Sequence, residues 1–107
     1  MPIRFDPPTL AKLRRDLMRR GRTLAELLSE VLAGKTPPAL EELLKAKPGK
    51  SPAEVLRLAL DQVERRRVLL DAGDDHFGRC DICNVDLGLV ALGEIAWADR
   101  CAEHASR

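Results

Sequence analysis

The chain has 107 residues, a net charge of +1, 33% charged side chains and 3% aromatics, with no tyrosine. A chain this short builds one small core, and with so little aromatic bulk Leu, Val and Ala must fill it, which disfavours a sandwich or barrel and favours amphipathic helices. The near-zero charge is poor for a DNA binder, and the absence of a signal peptide or of any apolar run near the roughly 20 residues of a membrane span points to the cytoplasm, where thiols stay reduced.

Asp6 before Pro7 and Pro8 is a helix-start signal, because proline at the first helical positions lacks an N–H that would be unpaired there anyway. Leu10, Leu13, Leu17, Leu24, Leu27, Leu28 and Val31 then recur at three- and four-residue steps, and Gly34 is the expected C-cap. This predicts a helix over about 7–33. The stripe is interrupted once, by Arg20 at a core position followed by Gly21, and Thr23 with Glu26 can form a capping box that restarts it. A glycine costs only about 1 kcal/mol in a helix interior, so the prediction is one continuous helix, with Gly21 the place for a kink.

Thr36, Pro37 and Pro38 open a short piece, about 38–46, whose Leu40, Leu43 and Leu44 fold back on the main helices, and Pro48–Gly49 ends it. Ser51, Pro52 and Glu54 supply the strongest N-terminal cap in the chain. A second long helix over 52–71 follows, with Val55, Leu56, Ala59, Leu60, Val63, Leu69 and Leu70 on its apolar face and Ala72–Gly73 at its end. Two long helices joined by so short a tip should pack antiparallel, so residues 1–73 read as a helical hairpin and 74–107 as a separate small unit.

That last unit carries the chemistry. Cys80-x2-Cys83, seventeen residues, then Cys101-x2-His104 is metal-ligand spacing, and it uses every cysteine of the chain. Three thiolates and one imidazole fill a tetrahedral zinc and leave no position for water or substrate, so the expected zinc is structural. A nucleobase-deaminase site would need a His-x-Glu upstream, which is absent. A disulfide plus a free thiol, or three unrelated buried cysteines, are the plainer alternatives; the odd count disfavours the first. Asn84 stands where such a knuckle needs a left-handed backbone. Leu89 to Ala105 reads as a short strand or turn and then a helix that delivers Cys101 and His104, with Trp97 capping the small core.

Phe77-Gly78-x-Cys80-x2-Cys83, the spacer, Leu92, Trp97, Ala98 and Arg100-Cys101 resemble the DksA/TraR type of bacterial zinc-finger proteins. The resemblance implies an all-α fold, an antiparallel helical hairpin followed by a small finger, and a transcription regulator whose hairpin enters the secondary channel of RNA polymerase without touching DNA. His104 stands where many relatives have cysteine, an exchange zinc accepts. The tip departs further. The family's acidic Asp-x-x-Asp-x-Ala pattern is replaced by Lys45-Ala46-Lys47-Pro48-Gly49-Lys50, which presents positive charge, with Glu41 and Glu42 the only acids nearby. Lys45, Lys47, Lys50, Glu41 and Glu42 are thus the candidate partner-binding residues.

Other readings stand beside this one. Residues 1–23 hold seven basic residues, Arg4, Lys12, Arg14, Arg15, Arg19, Arg20 and Arg22, against two acids. In an antiparallel hairpin Arg65, Arg66 and Arg67 would lie near Arg14, Arg15, Arg19 and Arg22 and make a basic patch for nucleic acid. Charges on the outer face of a helix are more often solvated or paired at four-residue spacing, as Asp61 with Arg65 can be, and aromatic interleaving for base stacking is missing. Leu32, Leu58 and Val68, which two helices cannot cover, would in an adaptor or homodimer pack on a second copy. His76 is expected to be an exposed turn residue rather than a fifth ligand or a pH switch. No phosphate-cradling glycine loop, nucleophile elbow or open metal position points to an enzyme.

Overall fold

A computed structural model describes residues 5–104. Among them are four helices, α1 (Pro7–Leu32), α2 (Leu40–Ala46), α3 (Pro52–Asp71) and α4 (Leu89–Glu94), and no strand beyond a single antiparallel bridge between Arg79 and Asp86. The protein is all-α. Arg4 of the basic N-terminal stretch and Ala105, the end of the expected last helix, lie outside the described residues.

The caps are where the sequence puts them. The Asp6 carboxylate accepts from the Thr9 amide at 2.9 Å with Pro7 and Pro8 opening α1, and the Ser51 hydroxyl accepts from the Glu54 amide at 3.2 Å with Pro52 opening α3. Helix α1 runs unbroken through Gly21. It ends where Gly34 turns left-handed at φ 87° and the Lys35 amide reaches back to the Glu30 carbonyl at 2.9 Å. Gly73, at φ 67°, closes α3 in the same way, with the Asp74 amide on the Leu69 carbonyl. A side chain in either position would strain the backbone.

Helices α1 and α3 pack on each other along most of their length. Their directions are opposite, since Arg14 meets Asp71 while Gly21 faces Val63. Leu13, Leu17, Leu24 and Leu27 of α1 interlock with Leu56, Val63 and Leu70 of α3, and Leu40 of α2 closes one end. At the other end Phe5 and Phe77 meet edge to face at 6.0 Å between centroids, joined by Leu92 and Ala96. The molecule measures 48 × 27 × 20 Å, its long axis set by α1, whose 26 residues span about 39 Å at ~1.5 Å per residue. No helix among the described residues is long and apolar enough to cross a membrane.

One expectation is corrected. The helix of the last segment is α4, placed before Trp97, and Cys101 to His104 form a turn instead of riding on a helix. Gly88 enters α4 at φ 86° and Ile95 leaves it extended, so six residues of helix suffice to carry Leu92 into the core before the chain turns back to the first cysteine pair.

Candidate metal centre

Two turns converge at the end of the helix pair. The first is cross-braced by its own backbone: the Cys80 amide donates to the Val85 carbonyl and the Asn84 amide to the Cys80 carbonyl, both at 2.9 Å. Asn84 takes the left-handed conformation at φ 63°, the one such non-glycine residue among those described, as its short polar side chain allows. The second turn is closed by the His104 amide on the Cys101 carbonyl at 3.0 Å, and the Asp81 amide donating to the Asp99 carbonyl at 2.8 Å holds the two turns together.

The ligand atoms of Cys80, Cys83, Cys101 and His104 lie within 4.8 Å of one another, and the group can hold a metal ion. The Sγ atoms of Cys83 and Cys101 are 3.8 Å apart, and Nδ1 of His104 is 3.6 Å from the Cys80 sulfur and 3.1 Å from that of Cys101. The edge of a tetrahedron with metal–sulfur bonds of about 2.3 Å is about 3.8 Å. All three thiols are free, so the disulfide alternative is not realised. Cys80 is buried while Cys83 is exposed, which leaves one side of the group open to an arriving ion.

The backbone prepares one thiolate. Burial opposes ionisation of Cys80, but backbone N–H groups of Cys83, Cys101 and Ile82 together with the Cys83 side chain outweigh it and bring the thiol down to about 6. Cys83 receives the Val85 amide, yet burial and the neighbouring Cys80 and Cys101 sulfurs push it up. With one sulfur ionised the next resists, and a cation relieves that repulsion for the whole group.

His76 is outside the group. Its ring is exposed and its Nδ1 sits 2.7 Å from the Asp74 carboxylate, as expected of a turn residue. At the tip Glu41, Glu42, Lys45, Lys47 and Lys50 are all exposed, with one loose pair, Lys45 to Glu42 at 3.8 Å.

Four of the seven arginines expected in a basic patch, Arg14, Arg65, Arg66 and Arg67, have acidic partners. Arg14 pairs with Asp71 at 3.1 Å, Arg65 with Asp61 at 3.3 Å, and Arg67 with both Glu64 and Asp71. Arg66 does not face solvent at all. It is 5% exposed and its Nη2 reaches Oδ1 of Asp81, between the first two cysteines, at 2.9 Å. The signal for this was present in the sequence: the steps from Leu56 through Ala59 and Val63 to Leu70 pass through position 66, which marks it as inward. Arg15, Arg19 and Arg22 stay on the outer face of α1.

Arg20 likewise occupies the inward stripe of α1. Its guanidinium lies 4.5 Å from the centre of the Trp97 ring, and the Gln62 amide ties the Trp97 carbonyl at 3.1 Å. No protein-family model, curated protein or solved structure matches the chain.

Proposed function

We propose that this protein is a DksA/TraR-type transcription regulator that acts by binding RNA polymerase in the cytoplasm, with one structural zinc held by Cys80, Cys83, Cys101 and His104. The observation that carries the reading is a long pair of opposed helices beside a three-cysteine, one-histidine centre, with an exposed, charged segment joining the helices. Such a body is a hairpin probe on a finger base. The sulfur–sulfur edge of 3.8 Å suits tetrahedral zinc, and the borderline-soft thiolate and imidazole set favours zinc over the hard cations. Bound there, the ion supplies folding free energy and no catalysis, since four protein ligands complete its shell; the proposed role is recognition, not an enzymatic step.

Lys45, Lys47 and Lys50 are the residues this reading places against the partner, with Glu41 and Glu42 beside them. A cationic tip is repelled by a bound divalent ion and attracted to carboxylates, so the contact differs in sign from that of an acidic-tipped relative. The test is a binding titration of the labelled, zinc-loaded protein against core RNA polymerase from its own host, with a Lys45→Ala/Lys47→Ala/Lys50→Ala variant and duplex DNA alongside. Polymerase binding that weakens in the variant supports the reading; absence of binding at micromolar concentrations sinks it.

A second reading is favoured by Leu32, Leu58 and Val68, which are 64%, 46% and 53% exposed. These suit an adaptor or homodimer in which a second copy covers them. Mass measured across a dilution series separates the two, because the polymerase reading requires a monomer.

A further inference from the structure

Glu54, Leu58, Asp61, Arg65, Val68 and Ala72 follow one another along α3 and its C-cap at alternating steps of four and three residues, and all six are exposed. That alternation is the spacing of a two-helix seam. The stripe runs opposite Leu56, Val63 and Leu70, which α3 turns into the core, so α1 does not cover it. Its two large apolar members, Leu58 and Val68, are about half exposed. They bracket two charges of opposite sign, Asp61 and Arg65, whose side chains are 64% and 62% exposed.

The order apolar, acid, base, apolar selects the occupant. In an antiparallel pair of α3 helices related by a two-fold axis at the level of Val63, Leu58 meets the partner's Val68 and Asp61 meets the partner's Arg65, and symmetry makes each contact twice. Glu54 meets the partner's small Ala72, so no like charges are opposed along the seam. A parallel pair would set Asp61 on the partner's Asp61 and Arg65 on the partner's Arg65. Sliding the antiparallel pair by one seam position would put Leu58 on the partner's Asp61 or Val68 on the partner's Arg65. One arrangement therefore satisfies every position, and a polar layer between apolar ones is what fixes the register of paired helices. Within its own chain Asp61 holds Arg65 at 3.3 Å, an exposed pair that is worth little and can be exchanged for the cross-chain one.

We propose that two copies of this chain associate through α3, antiparallel about that axis, with Leu58 on the partner's Val68 and Asp61 on the partner's Arg65. The proposal rests on the self-association reading above and gives it a face and a register. Four side chains from each copy, over about 15 Å of helix, bury far less than the roughly 1,600 Å² of a standard interface, so the pair is weak and falls apart on dilution. The outer face of α1 offers a rival seat, since its exposed Arg15, Met18 and Arg22 could lie along Asp61, Leu58 and Glu54 of a second copy. That contact is head-to-tail and builds an open chain of copies, and it does not use Arg65 as a partner for an acid.

The experiment is sedimentation equilibrium of the full-length, zinc-loaded protein from about 10 μM to about 1 mM, on the parent, on Asp61→Arg, on Arg65→Asp and on an equimolar mixture of the two variants. Both positions are exposed, and circular dichroism checks that the fold is kept. Either variant alone sets like charges across the axis, whereas in a mixed pair the basic seam of one meets the acidic seam of the other. We expect the parent to approach the dimer mass, each variant alone to associate at least tenfold more weakly, and the mixture to associate at least as tightly as the parent. A parent that stays monomeric throughout would refute both the proposal and the self-association reading. An associating parent with an unaffected Arg65→Asp, a mass that climbs past the dimer, or a mixture that stays monomeric would leave self-association standing and overturn the α3 seam.

Discussion

Arg66 and Asp81 seat the first knuckle on α3, and the two ends of that pair have unequal surroundings. The Arg66 side chain is 6% exposed and that of Asp81 34%, and Nε and Nη1 of Arg66 are buried with no partner. Removing Asp81 therefore strands a buried cation whose last hydrogen bond is gone. Removing Arg66 leaves a carboxylate that water can reach. Breaking a buried pair from the side that leaves its charge behind costs about 3–5 kcal/mol, while replacing a buried charge by an apolar side chain of similar size is often neutral or better. Because Asp81 is one-third solvated the lower end applies, and we expect Asp81→Ala to cost about 3 kcal/mol. Arg66→Met keeps an unbranched stem against the same walls and should stay within about 1 kcal/mol of the parent. The double variant should follow Arg66→Met, a coupling of about 3 kcal/mol. Urea unfolding in saturating zinc, followed by helical circular dichroism, measures all four corners of the cycle. If Arg66→Met proves as damaging as Asp81→Ala, the pair is held by attraction and not by the need to neutralise Arg66, and the reasoning fails.

Gly21→Ala should stabilise the protein by about 1 kcal/mol, since the added Cβ would meet only Val63 Cγ1, at an ordinary 3.7 Å; a Tm raised by roughly 4–8 °C is expected, and a lowered one refutes it. Chelation should unfold the segment from Phe77 to His104, because structural zinc contributes about 10–16 kcal/mol of apparent binding free energy in finger peptides. Amide exchange that stays slow at Cys80 and Asn84 in fully metal-free protein would contradict this. The Asp6 carboxyl is held below its ordinary 3.8 by the Thr9 side chain and amide. Its capping contribution is thus fully present above that value and fades as pH falls through the lowered one. Asp6→Asn keeps a cap but should flatten the acid limb of a stability profile, and an unchanged limb would count against the assignment.

Much of this architecture is legible in the residues because its signals are local. The pairs Asp6–Pro7 and Ser51–Pro52 start helices wherever they stand, and the observed starts of α1 and α3 follow them. The ligand quartet is legible for the same reason: two-residue spacing fixes each turn, and only their meeting needed the fold. What escaped is non-local. Residues 89–94 carry too little periodicity to reveal a six-residue helix, whose ends are set by the backbone at Gly88 and Ile95. A run of three arginines at 65–67 reads as surface charge by composition, although helical phase turns the middle one inward, and only Asp81, fifteen residues on, explains how it is tolerated.

The two arginines embedded in the apolar stripes divide the work of attaching the C-terminal segment to the helices, but on unequal terms. Arg66 has a carboxylate at 2.9 Å; Arg20 has an aromatic face at 4.5 Å. A cation over an indole gains about 0.5–2 kcal/mol, and Arg20 keeps part of its side chain in water, so the cost of desolvating it is screened and far smaller than that of the buried Arg66. Arg20→Met, an unbranched replacement that can still lie on Trp97, should therefore leave stability within about 1 kcal/mol of the parent. Urea unfolding measures it, and a loss of about 2 kcal/mol or more would make the arginine a structural clamp on Trp97.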